Sequence, residues 1–424
     1  MVQLPPAEAP VGYLDLVRRN RAFRRLWLGQ VVSLLGDWFG LIASATLVAR
    51  LTDSSLAVGA LFVARMLPPF LISPVAGVLA DRMDRRDLLV TADLVRAVIV
   101  LGFLLVREPE DVWLLYALTA TQLALGGVFF PARNALLPSL VTRAELGAAN
   151  ALSATTWSTM LAVGAALGGL VAGHFGVRTA FVVDAATYLV SAVFLLGIPR
   201  LGSHAAAAAR TAQAAVGEYV DGLRYLFTHR EVLFTACNKA LFALTAGGAL
   251  QVAQVRIAQH VFVVGDGGST GLGMMYAVAG LGTGIGPILA RRVTGDDPRA
   301  MRRAIVVAYA LVCAGLLVVA PLAGFAMVLA GVFLRGVGGG INWVASTQLL
   351  MMRVPDAVRG RVFSSEFAIF TLCQAVGTAY GGWTLDALGL EPLLFVIALL
   401  PAVPGVAWWY WVRRLDRIAI PGPR

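Results

Sequence analysis

Twelve apolar stretches, each close to twenty residues, limit what this 424-residue chain can become. A helix rises ~1.5 Å per residue, so ~20 apolar residues cross the ~30 Å hydrocarbon core of a bilayer. The stretches fall at 26–49, 55–80, 88–106, 112–131, 147–172, 178–198, 232–256, 270–290, 302–320, 323–348, 361–385 and 391–412. In lipid every backbone N–H and C=O needs a partner, and a helix satisfies them within its own segment. The expected fold is therefore an all-α membrane protein with twelve transmembrane helices. The weakest boundary is the join of the ninth and tenth spans, at Pro321. Composition agrees, with 58% hydrophobic and 14% charged residues, against about 25% charged in soluble domains.

The net charge of +10 could suit a nucleic-acid binder. Its distribution argues otherwise. With the N-terminus in the cytoplasm, 26 of 33 Arg fall in inner segments and four outside, at Arg50, Arg107, Arg178 and Arg256. Three lie within spans: Arg65, Arg96 and Arg335. Inner loops of membrane proteins collect Arg and Lys, so both termini are expected in the cytoplasm and nucleic acid is not a partner. Lys239 is the single Lys, and that bias, with abundant Ala and Gly, points to a GC-rich bacterial genome. The expected location is a bacterial cytoplasmic membrane. Cys237, Cys313 and Cys373 lie in apolar segments with no pairing pattern, so free thiols are expected. The N-terminal basic cluster leads into too long an apolar run for a secretory signal.

The longest interruption, 199–231, divides the spans into six and six. Within it, Tyr219, Val220, Leu223, Leu226 and Phe227 recur at helical spacing, which predicts an amphipathic helix over Gly217–Thr228 on the inner membrane surface. The organisation expected is a cytoplasmic segment 1–25, a bundle 26–198, a linker 199–231, a bundle 232–412 and a cytoplasmic tail 413–424. Residues 1–17, rich in Pro and Ala, are expected to be mobile. A shift of 213 aligns Gly127 with Gly340, Gly147 with Gly360, Gly164 with Gly377, Gly168 with Gly381, Gly169 with Gly382 and Gly176 with Gly389. An offset of half the chain is the mark of duplicated halves, which in transporters flank the substrate path. Close helix packing explains why the repeated residue is glycine.

Between the second and third spans lies Gly77-Val78-Leu79-Ala80-Asp81-Arg82-Met83-Asp84-Arg85-Arg86. Three Arg and two Asp in ten residues belong at a water interface. The Gly, the Asp-Arg four residues on and the basic pair resemble the signature loop of the major facilitator superfamily, whose fold is two pseudo-symmetric six-helix bundles. The resemblance implies a cytoplasmic gate of Gly77, Asp81, Arg82, Arg85 and Arg86, with Asp81 facing the start of the eleventh helix near Gly360-Arg361. A carboxylate there is favoured by the helix dipole. The same Arg residues also serve plain topogenesis.

Gly164-Ala165-Ala166-Leu167-Gly168-Gly169 resembles the fifth-helix signature of proton-driven exporters, with Ala165 in place of Pro; Gly164, Gly168 and Gly169 also suit ordinary packing. Leu35-Gly36-Asp37-Trp38, Leu67-Pro68, Phe130 to Pro138 and Ala149-Asn150-Ala151-Leu152 resemble the enterobactin-exporter-like and macrolide-efflux-like branch. That resemblance implies export of bulky amphipathic molecules against proton entry. Many drug antiporters carry an Arg midway along the fourth helix, where this chain has Gln122.

Ionisable groups inside a membrane cost several kcal/mol unless paired or hydrated, so each is a site candidate. Asp37, about 18 Å deep, and Arg65, about 24 Å deep on the adjacent span, are expected to pair through the long Arg side chain, either for structure or for proton coupling. Asp93 and Arg96 are three apart on one helical face. Lys239 and Arg335 occupy spans that border the central cavity. Trp38, Gln122 and Asn342 complete the cavity candidates, and Asp184 is a further buried carboxylate. No phosphate-binding loop, metal-ligand spacing or catalytic triad is present, so neither an enzyme nor a cofactor is expected and a proton gradient is the energy source. The function expected is secondary active export of amphipathic, drug-like molecules by a monomer in the lipid bilayer. A dedicated exporter of one metabolite such as a siderophore, a lysophospholipid transporter, and a non-transporting scaffold or sensor are the alternatives.

Overall fold

Each apolar stretch forms a helix whose ends are fixed by polar residues, and a computed structural model describes residues 12–200 and 212–418 of the chain. The first half runs α1 (Tyr13–Arg19), α2 (Arg21–Thr52), α3 (Ser55–Arg82), α4 (Arg85–Gly102), α5 (Val112–Leu140), α6 (Arg143–Phe175) and α7 (Val177–Leu196). After α8 (Ala212–Thr228) come α9 (Arg230–Phe242), α10 (Gly248–Arg256), α11 (Ser269–Thr294), α12 (Pro298–Val319), α13 (Phe325–Arg353), α14 (Asp356–Leu388), α15 (Leu390–Leu399) and α16 (Ala402–Ile418). Twelve of the spans these helices make are long and apolar enough to cross a membrane; α9 with α10, and α15 with α16, each form one. The uncertain join at Pro321 is a short turn between α12 and α13.

Caps explain the boundaries. Asn20 accepts from Phe23 N at the start of α2, and Ser54 from Ala57 N at the start of α3. Asp84 accepts from the Arg86 and Asp87 amides, so the charged loop between α3 and α4 is only a cap wide. Thr142 and Glu145 close a reciprocal capping box on α6. Gly176 and Gly389, a pair in the 213-residue repeat, end α6 and α14 at φ 83° and 89°. A side chain is strained there, so this pair is required by backbone geometry.

The halves are separate bundles. In the first, α2 packs on α6 and α7, α3 on α5, and α4 on α5 and α7; in the second, α13 joins α11 to α12, and α14 covers α9 and α10. They meet along α6–α11 and α3–α14. A Cβ on Gly169 would lie 2.8 Å from Gly273 Cα and from Ser269 O, and one on Gly382 would lie 2.8 Å from Ser55 O. The repeated glycines thus let the halves touch through their backbones at equivalent places.

With an even number of spans, both termini share one face. At the opposite, far face the halves are tied by Arg50–Asp266 at 2.8 Å, Arg256–Asp53 at 2.7 Å and Gln259 Nε2 to Thr46 O at 3.1 Å. Asp386, on α14, also accepts there from Ser55 N and Leu56 N at 2.9 Å and from Ser54 Oγ at 3.1 Å. On the terminal side, Gly147, Gly284 and Gly360 have nothing within 4 Å of a Cβ position.

Two expectations change and a third is refined. Residues 13–19 form a helix whose Leu16 is fully buried, while residues 1–11 lie outside the described set. α8 is amphipathic, and its apolar residues divide: Leu226 turns to protein while Val220 and Phe227 stay exposed. Leu226 is buried with Val232, Leu350 and Val362, and Gly222 abuts Arg361 O. Arg133, counted among the inner-loop cations, is instead buried in α5, where it donates to Ser153 of α6.

Candidate functional site

Four helices of the first half converge on one buried polar cluster. Asp37 lies near the midpoint of α2. Arg96, on α4, spreads its guanidinium between two carboxylates: Nη2 is 3.0 Å from Asp37 Oδ1 and Nη1 is 3.2 Å from Asp93 Oδ1. Arg96 Nη2 also donates to the Tyr188 hydroxyl of α7 at 2.9 Å, as does Gln122 Nε2 of α5 at 2.9 Å. Tyr188 in turn donates a short hydrogen bond to Asp37 Oδ1. The guanidinium lies 4.2 Å from the Tyr188 ring centroid. A planar fork of five donors suits two carboxylates and an aromatic face at once.

The two carboxylates are not equivalent. The Asp93 side chain is fully buried, whereas 26% of the Asp37 side chain remains exposed. Asp93–Arg96 is thus an internal pair, and Asp37 is the member that reaches solvent. The expected partner Arg65 is not the one that Asp37 takes: Arg65 acts on it electrostatically, but Arg96 makes the contact. Depth counted along a span fixes height, not the direction around the helix axis. The packing of α4 and α2 on α7 turns Arg96 toward Asp37. Asp184 is fully buried against Gly36 and Gly40, and neither of its oxygens has a hydrogen-bond partner.

The second half holds a compact pair. Lys239 Nζ lies 2.7 Å from Glu366 Oε1 of α14, each side chain 5% exposed. Lys239 also donates to Thr347 Oγ1 at 2.6 Å and sits 4.6 Å from the Trp343 ring centroid. Trp343 meets Phe370 edge-on at 5.2 Å, and Phe370 stacks with Phe367 at 6.1 Å. Trp343 and Phe367 are exposed, so they form an aromatic wall beside the pair.

Other candidates take different places. Asn342 is buried and accepts from Asn238, which with Ser346 and Tyr309 ties α9, α12 and α13 together. Gln122 is buried in the Tyr188 network. Trp38 packs over Gly164 and stands 5.8 Å from the Tyr276 ring of α11. Gly168 receives the Phe39 backbone. Arg335 lies 5.1 Å from the Phe242 ring.

In the loop between α3 and α4, Arg85 donates to Ala135 O at 2.9 Å and Arg86 to Leu196 O at 2.6 Å. The basic pair therefore anchors its own half, with Arg86 capping the C-terminus of α7. The side chains of Gly77, Asp81 and Arg82 lie outside the described set. The facing helix α14 begins at Asp356, four residues before the expected Gly360.

The residue that sequence reasoning missed is Tyr188. Its one signal was the four-residue spacing from Asp184, which puts both on one face of α7. Two π-helical turns in the seventh span, Ala243–Gly247 and Ile257–Val261, were also unforeseen.

Comparison with known proteins supports this architecture. The chain is 28% identical over 408 residues to an uncharacterized MFS-type transporter, YfiS, of Bacillus subtilis, covering 92% of this chain and 93% of that protein. It is 27% identical over 353 residues to a putative bacilysin exporter, BacE, of Bacillus amyloliquefaciens, covering 83% and 86%. A crystal structure of the nucleoside transporter NupG superposes with a TM-score of 0.72 at 11% identity, covering 92% of this chain and 99% of that one. A bacterial homologue of the iron transporter ferroportin, in an inward-facing state, gives 0.69 at 15%, covering 92% and 98%. The sequence model of the Major Facilitator Superfamily matches residues 26–365, from the first span into the eleventh, and the chain belongs to that superfamily of membrane transporters.

Proposed function

We propose that this protein exports hydrophobic or amphipathic small molecules from a bacterial cell by proton antiport, the two halves rocking about a central path. The observation that carries the proposal is Asp37, a mid-membrane carboxylate that is partly exposed yet held by Arg96 and Tyr188. A proton arriving at Asp37 cancels its charge and weakens the ion pair with Arg96, and those two contacts join α2 to α4 and α7. Protonation and helix arrangement are thereby linked. The Arg distribution orients the terminal face toward the cytoplasm. In that orientation the far-face ties close the outside while Asp37 is ion-paired, as antiport requires after the proton has left inward. The putative bacilysin exporter among the relatives favours outward transport, and equally favours a dedicated exporter of one endogenous metabolite.

The test is uptake of substrate into proteoliposomes with an imposed pH gradient. Asp37→Asn is expected to bind substrate but not to concentrate it. Accumulation at the wild-type level by that variant overturns the assignment.

A further inference from the structure

Most buried cations of this protein have partners. Arg96 has Asp37 and Asp93, Lys239 has Glu366, and Arg133 has Ser153 and Asn134. Two do not. Arg65, on α3, and Arg335, on α13, make no hydrogen bond or ion pair with any described residue. Each is the tenth residue after the first residue of its helix, Ser55 and Phe325, and both helices start at the far face. The two guanidiniums therefore lie at matched depth, about 15 Å from that face, one in each half. Tyr276 of α11 interacts electrostatically with both. Tyr276 is 7% exposed, and its hydroxyl has no hydrogen-bond partner. The buried Nε of Arg335 is likewise unpartnered.

A cation at membrane depth costs several kcal/mol unless paired or hydrated, and Arg65 has only the more distant carboxylates of Asp37 and Asp184 acting on it. Asp37 cannot neutralise Arg65 fully, because its hydrogen bonds go to Arg96 and Tyr188. Arg335 has only the face of Phe242 at 5.1 Å. An anion between the halves would satisfy all three donors at once. Arginine's fork matches carboxylate and phosphate oxygens bidentately, and a tyrosine hydroxyl adds one donor. Apolar surface borders the position: Trp38 is 5.8 Å from the Tyr276 ring, and Phe242 lies against Arg335.

We propose that Arg65, Arg335 and Tyr276 form a binding site for the carboxylate or phosphate group of an amphipathic anion, which both halves grip when the far face is closed. The inference rests on the export reading above and narrows its substrate class to molecules with an anionic head. Because the site draws one Arg from each half, an anion bound there bridges them.

The test measures binding without any gradient, on the purified full chain in a neutral detergent. Dodecyl phosphate, inorganic phosphate and dodecyltrimethylammonium are the probes, with ligand-induced thermal stabilisation as the readout. Dodecyl phosphate is expected to stabilise the protein and dodecyltrimethylammonium is not. Arg335→Gln and Arg65→Gln are each expected to weaken dodecyl phosphate binding about tenfold or more. Arg335→Lys, which keeps the charge, recovers part of the affinity, and Tyr276→Phe loses a few-fold. A Gln variant that elutes as a single species without ligand shows that its loss is not misfolding. Stabilisation by dodecyl phosphate alone identifies an amphiphile, and stabilisation also by inorganic phosphate identifies a free anion; either upholds the anion site. Equal stabilisation by the cationic probe, or undiminished dodecyl phosphate binding in Arg335→Gln, overturns it. Proton-driven accumulation in liposomes is scored separately, so failure of coupling and failure of the anion site are distinguishable.

Discussion

Asp386→Ala should release the far face. Asp386 stands near the end of α14 in the second half, and its carboxylate takes the Ser55 and Leu56 amides at 2.9 Å and the Ser54 hydroxyl at 3.1 Å, at the start of α3 in the first half. Those amides are first-turn donors with no partner inside α3. Ser54 spends its own side-chain oxygen on Ala57 N at 3.2 Å, so it does not replace Asp386 when the carboxylate is removed. Losing such a cap costs about 1 kcal/mol, and losing a negative charge at a helix N-terminus adds a few tenths to about 1 kcal/mol. The sum, about 1–2 kcal/mol, is modest because Asp386 is exposed to solvent. It still changes the ratio of closed to open molecules roughly five- to thirtyfold. The measurement is a spin-label distance distribution between Glu110→Cys and Val263→Cys, on exposed far-face positions of the two halves, with Cys237, Cys313 and Cys373 replaced. Asp386→Ala is expected to move population to longer distances, and Asp386→Asn, which keeps an acceptor, to move less. An Asp386→Ala distribution identical to that of the parent would refute the latch and show that the ion pairs Arg50–Asp266 and Arg256–Asp53 hold the face without it.

The remaining expectations concern the second half and the contact between halves. Lys239→Ala and Glu366→Ala each strand a buried charge and should destabilise the protein by about 3–5 kcal/mol, whereas the Lys239→Met/Glu366→Leu double variant should recover most of that loss; thermal unfolding in detergent of the four proteins measures it. Gly169→Val places a Cβ 2.8 Å from Gly273 Cα, and backbone cannot yield as a flexible side chain does. The same spin-label pair should report a population open at the far face, while the thermal stability of each bundle is retained.

What the sequence determined is what bilayer physics imposes one helix at a time. Twenty apolar residues must be a helix in lipid, whatever lies beside them, so the number and approximate places of the spans were legible. Arg asymmetry supports the orientation proposed above, and the 213-residue repeat announced two like halves. It even marked Gly176 and Gly389, whose shared positive φ is a local backbone requirement. Glycine pairs such as Gly169 and Gly382 were legible as packing positions because they have no side chain to place.

The partners of the buried charges were decided only by tertiary structure. Asp37 and Arg65 differ in depth by no more than a long Arg side chain spans, but depth is one coordinate of three. The azimuth of each helix, and the reach of a long Arg side chain from α4, gave Asp37 to Arg96 and left Arg65 without a hydrogen-bond partner, within the fields of Asp37 and Tyr276. Tyr188 could not be singled out, because a tyrosine in an apolar span reads as core until its hydroxyl is seen between Arg96, Gln122 and Asp37. The Lys239–Glu366 pair joins residues 127 positions apart on α9 and α14, brought together by the packing of those helices. α8 shows the same division: its amphipathic spacing was plain, but an apolar face only requires cover, and whether lipid or α14 provides it depends on where the chain carries the helix.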